Sequence, residues 1–417
     1  MTSKRTAPTA VLALTLVFTA LNLRASVTSI GALLRDIQAD VAMSDTVAGI
    51  LTTIPALCFG LVGLTAARLA RRVGVSTALV GSLVVGLVGI IVRAFAPGVA
   101  TILIPTLAAV SGFAIVNVLL PVAVKVWFPD RVGVMTGFYS VALVVGSALP
   151  AAVSVPLAES FGGWRAGIGL WAVPVAITLI PWFALRGRTG LTRAELGTLP
   201  GPGTVGERPV ATEVAMRVRR NAQAWGLTLF FGFQSFEAYV VMGWLPTIYR
   251  DLGLAAGHAG VLTSVVMLIS APIALVVPVL AARSNDQRGW VVVIIVASML
   301  AYVGMLAAPL AAPVLWAVLL GIGLGAFPFA LLLLGLRART SDGTSALSSM
   351  VQGFGYLIAS LGPVTIGFVH DVTGGWTVPL WFLFALMIPK LIGGLVAARP
   401  GFVDDPVTTG DDPLPTP

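Results

Sequence analysis

Two ionisable residues sit where the chain has no water to offer them. Arg24 lies near the middle of an apolar stretch running from about residue 9 to 33, and Glu237 lies at the middle of another, 223–249. A charge at the centre of a membrane-spanning helix costs about 2.5–3.5 kcal/mol on insertion scales, so each must face a water-filled cavity or a partner. Arg24 presents a planar guanidinium that can grip a planar anion with two hydrogen bonds; the alternative is a structural ion pair. Glu237 is a candidate proton carrier, or the static partner of Arg24.

Neutral polar residues surround these two. Asn22 is close to Arg24 in sequence, Gln234 lies one helical turn before Glu237, and Tyr239 two residues after it. Asn117 occupies a fourth apolar stretch with Lys125 two turns on, and Gln352 and Tyr356 stand four apart in an eleventh, a spacing that shares one helix face. These side chains can bind a solute or hydrogen-bond helix to helix, which they do well in membranes. Lys125 is either an anchor at the membrane edge or a solute contact. The single cysteine, Cys58, and two distant histidines, His258 and His370, supply no disulfide framework, metal cluster or cofactor site. No nucleophile–base set points to an enzyme, and no Walker-type motif points to ATP.

The elements that hold these residues follow from composition. Of 417 residues, 57% are hydrophobic and 10% charged, with a mean hydropathy of +0.98. A soluble domain carries roughly 25% charged residues, so lipid is the solvent that suits this chain. At about 20 residues per crossing, spans fall near 9–33, 46–67, 75–96, 99–123, 133–157 and 165–185, then 223–249, 257–281, 289–309, 312–336, 345–369 and 376–397. The first follows Lys4 and Arg5 as a signal peptide would, but it runs on too far for a signal's apolar core. The net charge of +8 does not indicate nucleic acid, because the basic residues sit in short gaps between apolar runs instead of on one face.

Most basic residues fall on one side, and only Arg35, Arg93, Arg165 and Arg250 on the other, which places both termini in the cytoplasm. Four regions result: residues 1–185, a linker 186–222, residues 223–398, and a disordered tail 399–417.

An internal repeat organises the spans. Arg35-Asp36 and Arg250-Asp251 stand 215 positions apart, as do Ala66-Ala67-Arg68 and Ala281-Ala282-Arg283. Gly137-Phe138 pairs with Gly353-Phe354 at 216, and Gly162-Gly163-Trp164 with Gly374-Gly375-Trp376 at 212. Six spans per repeat give two halves of the same orientation, related by an axis along the membrane normal, with a solute site expected at the midplane between them. The 215-residue offset sets Asn22 and Arg24 against Glu237 and Tyr239. Trp164 and Trp376 are expected at the membrane interface.

Several of these segments, Asn22-Leu23-Arg24, the run Gly49 to Gly60, Asn117 to Pro121 with Phe128-Pro129-Asp130-Arg131, Trp244-Leu245-Pro246, Gly355-Tyr356 and His370-Asp371 among them, resemble the cyanate and 2-nitroimidazole transporter family (CynX/NimT) of the major facilitator superfamily. The resemblance implies an all-α membrane protein of 12 transmembrane helices in two pseudo-symmetric six-helix bundles, a bacterial cytoplasmic-membrane location and no cofactor. It implies alternating-access transport of a small polar or anionic solute, driven by protons, by a monomer. A proton-driven drug exporter and a non-transporting sensor are the alternatives. In the superfamily's loop after the second helix, Gly63, Arg68, Arg71 and Arg72 remain, while Ala67 and Ala70 replace an acid and a glycine. A cytoplasmic gate at this loop is therefore expected to be weaker or differently built.

Overall fold

The computed structural model describes residues 9–185, 209–284 and 286–404; a few side chains within these ranges, those of Arg71 and Lys125 among them, lie outside the description. Long apolar runs form helices because a helix satisfies every backbone hydrogen bond within itself, as hydrocarbon demands. The N-terminal half holds α1 (Thr9–Ala32), α2 (Asp45–Leu57), α3 (Val75–Ala94), α4 (Val99–Trp127), α5 (Val132–Phe161) and α6 (Trp164–Gly169 with Ala172–Leu185). The C-terminal half holds α7 (Ala222–Asp251), α8 (Ala256–Ala281), α9 (Arg288–Ala307), α10 (Pro313–Leu324 with Ala326–Leu336), α11 (Ser341–Thr373) and α12 (Thr377–Ala397).

Among the described residues, 11 helices are long and apolar enough to cross a membrane. The twelfth, α7, has 30 residues. It falls short in hydropathy because Gln234, Ser235 and Glu237 occupy its centre. The fold is all-α, with two six-helix bundles.

One sequence boundary, the start of the tail, needs correction. Of the linker expected over 186–222, residues 186–208 lie outside the described residues, and Pro209–Arg220 is a helix. The tail expected from 399 is ordered through 404: the Val403 amide donates to the Arg337 carbonyl at 2.8 Å. Trp164 and Trp376, at the starts of α6 and α12, are buried against protein; the Trp376 indole donates to Asp251 at 2.8 Å.

The halves meet along two seams, α2 with α11 and α5 with α8. Glycines permit the approach. A Cβ on Gly49 would lie 2.6 Å from the Pro363 carbonyl oxygen, and one on Gly260 2.3 Å from that of Ala151. Both contacts sit towards the end of the bundle away from the chain termini, here called the far end.

Charges complete the closure at the far end. The repeated Arg-Asp dipeptides exchange partners: Arg35 forks onto Asp251, with Nε to Oδ1 at 2.9 Å, and Arg250 forks onto Asp36 with two bonds of 2.8 Å. Asp371 on α11 accepts from the Asp45 and Thr46 amides that open α2, at 3.0 and 2.6 Å, where a helix N-terminus favours an anion. His370 Nδ1 lies 2.8 Å from Asp45. The sparse far-side arginines are thus mostly neutralised, since Arg165 also pairs with Asp40 at 2.7 Å.

Two outcomes follow from these contacts. Asp251→Lys sets like charges opposite each other at Arg35 and should open the far end. Alkylation of Ser360→Cys, buried behind α2, in a Cys58→Ser background should then accelerate several-fold, and adding Arg35→Glu should restore the slow rate. Unchanged alkylation in Asp251→Lys would mean the ion pairs do not hold the halves.

The second concerns Asp404, whose carboxylate accepts from the Arg339 and Thr340 amides and the Thr340 hydroxyl, the last at 2.7 Å, at the start of α11. Burial raises its pKa, but these hydrogen bonds outweigh burial and hold it below the usual carboxylate range. A depressed folded-state pKa adds stability above the unfolded value of about 3.9, and that stability is lost as pH falls through the folded value. Asp404→Asn should lower stability by about 1 kcal/mol near pH 7, with the gap closing below about pH 4; thermal melts across pH check this.

Candidate functional site

A cavity of about 380 Å³ lies between the halves, lined by α1, α5, α7, α8, α10 and α11. Arg24 enters it from α1. From α7, Ser235, Ala238, Tyr239 and Met242 present one face at helical spacing, with Gln234 beside it. Tyr356 comes from α11. The remaining wall is mostly apolar, with the hydroxyls of Thr136, Ser140, Ser147 and Ser270 among it. Its α5 and α10 residues cluster towards the ends of those helices nearest the termini, so the cavity opens opposite the far-end latch.

The Arg24 guanidinium stands 5.8 Å from the Phe59 ring centroid, within cation–π range. It is within electrostatic reach of the Tyr239 and Tyr356 phenols. Tyr356 packs edge-on against Phe231 at 5.3 Å, and Phe231 lies 5.8 Å from Phe327, which fixes an aromatic wall. Gly60 on the turn after α2 lets that helix pass close to Tyr356. The Gln234 carboxamide donates to Ser235 at 2.7 Å, and its oxygen is buried without a protein partner. Among the described residues no acid pairs with Arg24. The site therefore offers one positive charge, two phenols and flat apolar surface.

Four of the seven residues expected to bind solute line this cavity: Arg24, Gln234, Tyr239 and Tyr356. Asn22 does not. Two residues along a helix turn the side chain by about 200°, so Asn22 faces α6, where its amide bonds Thr178 Oγ1 at 2.9 Å and the Pro174 carbonyl at 3.3 Å. Asn117 is half-buried on α4 and is not among the residues lining this cavity. Gln352 bonds Ser348, one turn back on its own helix, at 2.7 Å. In the expected gate, Arg68 and Arg72 are exposed on the helix Ala66–Val73. The Arg71 and Lys125 side chains lie outside the described residues.

Glu237 is placed differently from expectation: it neither meets Arg24 nor lines the cavity. It points into its own bundle, where Lys390 Nζ on α12 lies 2.5 Å away and the Tyr302 hydroxyl on α9 donates at 3.1 Å; Glu237 and Lys390 are both fully buried. In this arrangement Glu237 and Lys390 satisfy each other's charge away from the cavity. Sequence reasoning missed Lys390, although a lysine in the middle of the twelfth apolar stretch carries the same warning as Arg24. Arg93, expected near the membrane edge, is also fully buried; its Nη1 donates to the Ser26 carbonyl at 3.0 Å.

Breaking a buried pair leaves an uncompensated charge and costs about 3–5 kcal/mol. Lys390→Met and Glu237→Gln should each destabilise the purified protein on that scale. The double variant should recover most of the loss; melting of all four proteins closes the cycle.

The sequence matches the model of the Major Facilitator Superfamily over residues 12–363. It is 34% identical over 394 residues to the uncharacterized transporter YycB of Bacillus subtilis (strain 168), covering 93% of both chains. It is 33% identical to the 2-nitroimidazole transporter of Escherichia coli (strain K12), covering 91% of this chain and 93% of that one. The cyanate transport protein CynX of the same strain is 29% identical, at 91% and 94%. Among solved structures, the nucleoside transporter NupG superposes with a TM-score of 0.70 at 13% identity, covering 93% of this chain and 98% of that one, a likeness of fold alone. With a family match over most of its length and this architecture, the protein belongs to the major facilitator superfamily.

Proposed function

We propose that this solute transporter carries a small planar solute bearing negative charge, with Arg24 reading the charge and the Tyr239, Tyr356 and Phe327 wall reading the flat face. The observation that carries the reading is Arg24 itself: a guanidinium inside a largely apolar cavity, with no acid paired to it among the described residues. The relatives named for 2-nitroimidazole and cyanate support a solute of this kind. Between those two, the cavity favours the ring. Its volume of about 380 Å³ lies in the range of small-molecule sites, roughly 300–1,000 Å³, and a triatomic anion would fill little of it.

The bias of basic residues supports cytoplasmic termini in a bacterial cytoplasmic membrane. In that orientation the structure is inward-open, with the ion-paired end closed towards the outside. Reorientation of the two halves about the cavity would then deliver the solute to the other face.

Purified protein screened for thermal stabilisation by 2-nitroimidazole, 4-hydroxybenzoate and cyanate tests the assignment. The two ring compounds should stabilise more than cyanate, and Arg24→Gln should weaken their binding at least tenfold, a loss of about 1.4 kcal/mol. Arg24→Gln with wild-type melting and an undiminished ligand response would sink the proposal. A strong response to neutral lipophilic drugs, indifferent to Arg24, would favour an exporter of such compounds.

A further inference from the structure

The charge of the cavity says more than which solute it holds. Arg24 is the one ionised group among its described lining residues, and the other polar groups there are hydroxyls, a carboxamide and two phenols. The nearest carboxylate on α7, Glu237, is turned out of the cavity and committed to Lys390. Neither an acid nor an imidazole among those residues could take up a proton or serve as an internal counter-charge. Arginine cannot lose its own charge at physiological pH.

Alternating access requires the halves to close over the cavity from both ends at some point in the cycle. Closure withdraws the Arg24 guanidinium from bulk water, and a desolvated charge without a partner is strongly disfavoured. A ligand shifts a conformational equilibrium only through its differential affinity for the two states. An anion on Arg24 has that property, because its attraction to the guanidinium strengthens as water leaves. The empty carrier has nothing equivalent.

We infer that the solute anion is the counter-ion that permits reorientation, so that the protein works as an obligatory anion exchanger. The loaded carrier reorients and the empty carrier does not; one anion leaves for each that enters. No proton need bind in the cavity. The inference rests on the proposed role of Arg24 and goes beyond it, since anion binding alone is compatible with net uptake coupled to protons.

The test uses proteoliposomes loaded with radiolabelled 4-hydroxybenzoate at pH 7.5, with gluconate as the remaining anion and the membrane potential clamped. Efflux into buffer containing unlabelled 4-hydroxybenzoate should be at least tenfold faster than efflux into gluconate, and an uncoupler should leave that ratio unchanged. Arg24→Lys, which keeps the charge, should keep the requirement for an anion on the opposite side. Arg24→Gln should lose it, its residual flux being equal under both conditions. Equal wild-type efflux into both buffers would overturn the inference, as would accumulation driven by a pH gradient into vesicles holding no exchangeable anion; in either case the assignment of Arg24 to binding survives. If the wild-type protein neither binds nor moves 4-hydroxybenzoate, 2-nitroimidazole or cyanate, the anion reading of the cavity fails and the exchange inference falls with it.

Discussion

A charge taken into hydrocarbon must be hydrated, paired or hydrogen-bonded, and this demand arranges the interior of the molecule. Lys390 and Glu237 neutralise each other in a dry bundle, with Tyr302 supplying a further hydrogen bond. Arg35, Asp36, Arg250 and Asp251 neutralise each other at the far end, across the halves. Arg24 alone among these is left facing the open cavity. The pairs that are closed hold the structure together; the charge left open is the one available to a ligand. A buried ion pair is weak evidence for net stability, so the value of the Glu237–Lys390 bond lies in geometry. It ties α7 to α12 on one side while the opposite side of α7 carries the cavity wall.

The internal repeat turns that arrangement into a comparison between halves. Asn22 bonds Thr178 in the first half, and Glu237 bonds Lys390 in the second. Thr178 and Lys390 stand 212 positions apart, the offset that also relates Trp164 to Trp376. Both bonds join the first helix of a bundle to its last. One half makes the bond with an amide and a hydroxyl, the other with two charges. The same symmetry makes Arg24 and Tyr239 counterparts on the cavity side. The Arg-Asp dipeptides show it again, because a two-fold axis passing between α1 and α7 brings each arginine to the other half's aspartate.

Much of this was legible in the sequence, for physical reasons. Crossing helices announce themselves because a bilayer tolerates little else, and the repeat survives in glycines and charges whose loss would disrupt packing. Arg24 stood out by its cost at mid-membrane. The orientation of side chains was less legible. The offset correctly matched Asn22 with Glu237 and Arg24 with Tyr239 in depth, but depth does not specify face. A step of two residues sends Asn22 and Glu237 into their own bundles and away from the axis. Lys390 was visible as a charge, yet its partner depended on which helices of the bundle are neighbours. The far-end closure was hidden because Arg35 and Asp251 acquire meaning only once the halves are set side by side.

The broken symmetry at the cavity divides its work. The N-terminal half contributes the charge, through Arg24 on α1; the C-terminal half contributes most of the aromatic wall, through Tyr239, Phe327 and Tyr356. A solute that engages both must bridge the seam along which the halves separate. Contact with Arg24 alone distinguishes the closed arrangement from the open one only through the water lost on closure, because the contact itself travels with one bundle. Simultaneous contact with the opposite wall depends on how close the bundles stand, so it changes as they rock. A flat anion large enough to span the two walls therefore has the differential affinity between open and closed states that transport by alternating access requires. A smaller anion resting on the guanidinium has less of it.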